Sequence, residues 1–162
     1  MPRNTKYPLE PLREHRDRKV EHATAELGEA VRAREAADEA NRRAEQERAE
    51  ALAHAASVRD DESGRLANGE LRVADLARAQ AWEHAVSVEV GDRDRTVARA
   101  ADELGSAQQH EAVARRELAQ KKADLDVVAK DEARFDADAR RARDASEEEA
   151  ADEAFTARRR QV

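Results

Sequence analysis

The sequence contains no cysteine. Disulfides, thiolate-held metals and cysteine nucleophiles are therefore excluded, although compartment is not decided by this alone. Isoleucine is also missing, and the only aromatics are Tyr7, Trp82, Phe135 and Phe155. A globule of 162 residues needs bulky side chains to fill its centre, and the nominal 40% hydrophobic share here is mostly alanine. All three prolines lie in the first eleven residues, so nothing after Pro11 breaks a helix strongly. No apolar run is long enough to span a membrane or to serve as a signal peptide, which makes the cytoplasm the simplest localisation. Nor is there a basic stripe. Charged residues make up 41% of the chain with both signs interleaved, and the net charge is −7. That balance argues against nucleic acid and against an anionic membrane surface as partners.

What remains is dominated by Ala, Glu, Arg and Leu, the best helix formers, arranged as a coiled-coil repeat. Residues 1–7 read as a flexible lead, and Pro8 or Pro11 opens a helix that runs to Glu62. The densest breaker cluster, Ser63-Gly64 and Asn68-Gly69, predicts a turn over 63–70. Gly64 is suited to cap the first helix and Asn68 to start the second, which runs over 71–160. A second turn at Gly91-Asp92, giving three helices, is the rival organisation.

The seam is legible in both helices. Positions 9, 16, 23, 30, 37, 44, 51 and 58 read Leu, Arg, Ala, Ala, Ala, Ala, Ala, Val; a second row begins at Val20 and Leu27 and then shifts to Ala33 and Ala40. In the second helix, positions 97, 100, 104, 107, 111, 114, 118, 121, 125, 128, 132, 135, 139 and 142 alternate steps of three and four and are mostly apolar, with Glu111, Lys121 and Glu132 as exceptions. This is a heptad stripe of the left-handed coiled-coil kind. Acid-then-base pairs four apart, such as Asp38–Arg42, Glu39–Arg43 and Asp126–Lys130, support the helices locally. The predicted fold is all-α: a long antiparallel two-helix coiled-coil hairpin whose longer second helix overhangs at its C-terminal end.

Catalytic chemistry is not legible. There is no Gly-rich phosphate loop, the serines lack a base and an oxyanion setting, and carboxylates on a solvated helix keep ordinary acidity. His15 and His22 share a face with Arg18 and Lys19 between them, and solvated histidines fit this better than a metal pair. Glu147-Glu148-Glu149 fits a solvated helix face better than a cation site. No cofactor is expected. Two features stand out from the repeat. One is Trp82, near Leu76, Val86 and Val90, a large aromatic of the kind common in interface hot spots. The other is the opening Tyr7-Pro8-Leu9-Glu10-Pro11-Leu12-Arg13-Glu14-His15-Arg16, where large apolar residues precede the alanines. Packing against the neighbouring helix and contact with a partner are both open for each.

That opening (Tyr7, Leu9, Leu12, Arg13 and Arg16), the break at 63–70 and the segment Asp75–Trp82 resemble the FliJ/YscO family (SctO), stalk proteins of flagellar and virulence type III secretion export machines. The resemblance implies a non-catalytic central-stalk or coupling protein, cytoplasmic and peripheral to the export apparatus. It implies binding to the hexameric secretion ATPase, to the cytoplasmic domain of the export gate and to secretion chaperones. It would place Tyr7, Leu9, Leu12 and Phe155 at the ATPase ring and Leu76, Trp82 and Val86 toward the gate or other partners, with Arg16 of the opening a further partner-binding residue. The alternatives are a stalk subunit of a V/A- or F-type ATPase and a generic homodimeric coiled-coil scaffold.

Overall fold

A computed structural model describes residues 6–159, with the side chains described to residue 156. Two helices account for almost all of it: α1 (Glu10–Ala67) and α2 (Val73–Arg159). Among the described residues there are no strands. The fold is an all-α helical hairpin.

Helix α1 starts where its first carbonyls and amides find partners. The Leu9 carbonyl accepts from the amides of Leu12 (2.9 Å) and Arg13 (3.0 Å). Pro11 is the second helical residue, where its missing N–H has no intrahelical partner to lose. Of the expected flexible lead, residues 1–5 lie outside the described residues, and Tyr7 is buried rather than loose.

The turn lies later than the sequence predicts. Helix α1 continues through Gly64 to Ala67, because a single glycine in a helix weakens it without ending it. What ends it is Gly69, whose φ of 70° is the left-handed conformation an L-residue adopts only at a cost. With Gly69 there, its amide reaches the Leu66 carbonyl (3.0 Å) and the Glu70 amide reaches that of Arg65 (2.9 Å). This is a Schellman cap. Asn68 thus belongs to the end of α1 and does not start α2. The start of α2 is made by Asp75, whose carboxylate accepts from the Arg72 amide at 2.9 Å, as the third helical residue reaches back to the cap. The rival turn at Gly91 does not form: α2 runs through Gly91 and Gly105 unbroken.

The chain divides into two compact units. A turn unit holds residues 28–113, and a terminal unit holds residues 1–27 with 114–162. In the turn unit α1 and α2 pair antiparallel, as the cross-helix ion pairs record: Arg59 with Glu83, Arg48 with Asp94, and Arg34 with Glu111. The seam between them is built from small residues. Ala44 and Ala55 of α1 and Val86 and Ala100 of α2 are buried, and Ala55 is only 2% exposed. The second row of α1 does not shift to Ala33 and Ala40, which are exposed. It keeps the regular spacing through Arg34, Asn41 and Ala55, because an unbroken 3.5-residue period holds one face toward the partner helix. Two polar residues are the consequence. Arg34 meets Glu111, which is 7% exposed, at 3.0 Å.

In the terminal unit the same pairing places Ala23 opposite the stripe of α2, with Val128 buried and Leu118, Leu125 and Phe135 half-buried. Arg16 Nη1 lies 2.6 Å from Asp124 and Arg13 Nη1 3.4 Å from Glu132. The last half-buried residue of α2 is Ala139; residues 140–156 are exposed, the expected overhang of the longer helix. Locally, Arg42 pairs with Asp38, Arg43 with Glu39 and Lys130 with Asp126, as their four-residue spacing predicts.

Candidate partner-binding surfaces

The opening segment is divided between inward and outward residues. Tyr7 turns inward. Its ring packs on Phe135 with centroids 5.6 Å apart and a 59° tilt, a favoured aromatic geometry. Its hydroxyl donates to Asp131 Oδ2 at 2.6 Å and lies 3.4 Å from the Val128 carbonyl. Burial first, and then the hydrogen bond and the charge of Asp131, push the phenol up to about 12. Tyr7 is thus committed within the chain, fixing the start of α1 against α2. Arg16 is committed likewise to Asp124. Leu9 and Leu12 are exposed. Their neighbour Arg13 is held charged by Glu10, at 2.7 Å, and by Glu132.

Phe155 is 68% exposed. It lies 20 residues beyond Phe135 on the same helix, about 30 Å along the axis. Tyr7 is therefore joined to Phe135 and not to Phe155. Leu9 and Leu12 at the start of α1, and Phe155 on the overhang, are large apolar residues that the terminal unit leaves exposed.

In the turn unit the expected trio separates. Val86 is buried, because the α2 stripe extends back from Val97 through Arg93 and Val90 to residue 86 and turns it toward α1. Trp82 is half-buried at the edge of a groove of about 530 Å³ beside the turn. Val58, Leu66, Leu71 and Leu76 also line this groove. Leu66, Leu76 and the neighbouring Val73 are exposed. Leu66 escapes the sequence reading because the turn is predicted over it, and Val73 because it falls in the first turn of the predicted second helix, outside the seam. The signal that would find them is apolar residues flanking a glycine pair. Across the groove Arg59 donates two hydrogen bonds to Glu83, at 2.6 and 2.9 Å. The guanidinium holds the Glu83 carboxyl below the usual carboxylate range. This bidentate clamp joins α1 and α2 next to the turn, in the groove that Trp82 also lines.

His15 and His22 line a second groove, of about 310 Å³, with Arg18, Lys19 and Lys121, and His22 Nδ1 lies 3.3 Å from Glu26. Among the described residues no three His, Asp or Glu side chains gather as a metal site. Among them, too, no helix is long and apolar enough to cross a membrane.

Comparison with known families gives a match to the YscO-like protein family over residues 4–157. The match takes in both helices and the turn between them, and the chain belongs to the YscO-like family. Neither the curated proteins nor the solved structures give a match.

Proposed function

We propose that this member of the YscO-like family is a non-catalytic stalk or coupling protein of a type III secretion export apparatus. It would bind the hexameric secretion ATPase and the cytoplasmic domain of the export gate, with secretion chaperones as further partners, and would work in the cytoplasm at the periphery of the apparatus. Membership of the family across both helices is the observation that carries this reading. The hairpin with an overhanging second helix supports it, being the form the family resemblance implies.

Two separate apolar surfaces fit two different partners. Leu9, Leu12 and Phe155 serve the ATPase ring, since all three are exposed and large. Leu76 and the edge of Trp82 serve the gate, joined by Leu66 in the same groove and by the exposed Val73 three residues before Leu76 on α2. Tyr7, Arg16 and Val86 act indirectly by holding these surfaces in place. The test is co-purification from cells carrying the secretion system, with bound proteins identified by mass spectrometry. Wild type is expected to recover the ATPase and gate fragments. A Leu9→Ala/Leu12→Ala variant should lose the ATPase and keep the gate, and Trp82→Ala the reverse. Full recovery of both partners by both variants would refute the placement. Recovery of neither partner by wild type would refute the function.

A further inference from the structure

The outer face of α2 in the terminal unit carries a second heptad stripe, on the side away from the seam. Starting at Ala123, steps of four and three lead through Val127, Lys130, Arg134 and Ala137. The same steps continue through Arg141, Asp144, Glu148 and Ala151 to Phe155. All but the half-buried Ala137 are exposed. Two of the most exposed large apolar residues of the molecule, Val127 at 67% and Phe155 at 68%, stand on this one stripe. A regular 3.5-residue period on a helix face is the pattern that a second helix recognises.

The order of residues on the stripe is self-complementary. We infer that this face pairs antiparallel with the same face of a second copy, about a two-fold axis passing near residue 139. In that register Lys130 faces Glu148 of the other chain, and Arg134 faces Asp144. Symmetry repeats both contacts, as it must in an isologous interface. Outside the charges, Phe155 lies against Ala123 and Val127 against Ala151, large residues facing small ones. At the centre Ala137 faces Arg141, whose aliphatic stem covers it.

The pattern also disfavours two alternatives. Parallel pairing in register would set Lys130 on Lys130, Arg134 on Arg134 and Glu148 on Glu148. Antiparallel pairing slid by one heptad toward the N-terminal side would set Lys130 against Arg141. Like charges facing one another disfavour both. Lys130 already pairs with Asp126 at 2.6 Å and Arg141 with Asp138 at 3.3 Å on their own helix. These pairs are exposed and therefore weak, so exchanging them across an interface is easy. The paired stretch, residues 123–155, is about 50 Å long. Its apolar content is low, so the dimer forms reversibly and its charges set register more than affinity. The inference rests on the terminal unit alone; it shares Phe155 with the ATPase surface proposed above, so pairing of two copies and ring binding are alternatives at that residue.

Charge reversal tests it on the full chain. Lys130→Glu/Arg134→Glu and, separately, Asp144→Arg/Glu148→Lys should each weaken self-association by about a hundredfold or more. The fourfold variant combining them restores opposite charges at every contact and should recover the dimer. Sedimentation velocity over a wide concentration range reads all three, and circular dichroism checks that helicity is unchanged. Orientation is read by disulfide formation, since the chain has no cysteine of its own. Mixed Val127→Cys and Ala151→Cys chains should cross-link to each other, and neither should cross-link by itself. A wild type that stays monomeric throughout, reversals without effect, a fourfold variant that fails to recover, or cross-linking within a single variant would each overturn the pairing.

Discussion

Arg34 and Glu111 form an ion pair whose carboxylate is buried in an alanine seam, and replacing them singly and together separates stability from register. Glu111 is 7% exposed with Arg34 Nε at 3.0 Å, whereas the Arg34 side chain is about one-third exposed. Arg34→Leu takes the guanidinium away from a carboxylate that water reaches poorly. Losing one partner of a fully buried pair costs about 3–5 kcal/mol; with Arg34 partly solvated and Glu111 keeping an interaction besides Arg34, about 1–3 kcal/mol is expected. For a chain of this size that is about 3–9 °C in thermal midpoint. Glu111→Leu should cost less, below about 1 kcal/mol, because Arg34 extends its head into water and leaves its stem in the seam. The double Leu variant should be neutral or more stable than wild type by about 1 kcal/mol, since apolar packing commonly equals or exceeds a buried pair. Urea unfolding followed by helical circular dichroism, analysed as a double-mutant cycle, measures all of this. A coupling energy below about 0.5 kcal/mol, or a Glu111→Leu cost equal to that of Arg34→Leu, would refute the view that the carboxylate is the costly partner. If the pair also fixes register, the double variant should show heterogeneous cysteine cross-linking across the seam despite its stability.

Further outcomes follow from the same physics. Ala55→Leu and Ala23→Leu insert bulk where the seam leaves 2% and 4% exposure, and each should cost about 1–3 kcal/mol in the same unfolding assay. Gly69→Ala should cost about 1–2 kcal/mol, because φ of 70° strains any side chain; Gly91→Ala, in a helix with nothing within 4 Å, should instead gain about 1 kcal/mol. The Tyr7 phenol is raised from 10.0 to about 12, so its contribution to stability is complete below pH 10 and is lost as pH rises toward 12. The thermal midpoint of wild type should therefore approach that of Tyr7→Phe across that window, and a constant gap would refute the contact. The Glu83 carboxyl is lowered by Arg59, so its contribution is present above the ordinary carboxylate range and is lost as pH falls through the lowered value. Glu83→Gln should remove that acid-sensitive part of the midpoint curve.

Helicity, the hairpin and most of the seam are determined by the sequence alone, because they rest on local regularities. Alanine, glutamate, arginine and leucine form helix wherever nothing breaks it, and a 3.5-residue period identifies its inward face without reference to any other part of the chain. The α2 stripe from Val97 to Ala139 is half-buried or buried at each step for this reason. The exit from α1 was legible only as a region. Several glycines compete there, and which one takes the left-handed conformation depends on where the Arg65 and Leu66 carbonyls are met. The tertiary structure alone decided which conspicuous residues are committed. For Tyr7, Arg16 and Val86 the sequence leaves packing within the chain and contact with a partner both open. Each is matched within the chain, to Asp131 and Phe135, to Asp124, and to the seam. Arg34 and Asn41 enter the seam against their polarity, because the period of a long helix cannot be interrupted to favour Ala33 and Ala40. Composition and periodicity are properties of one strand of sequence. Which side chain finds a partner depends on the register between two helices, and that is set only when they pair.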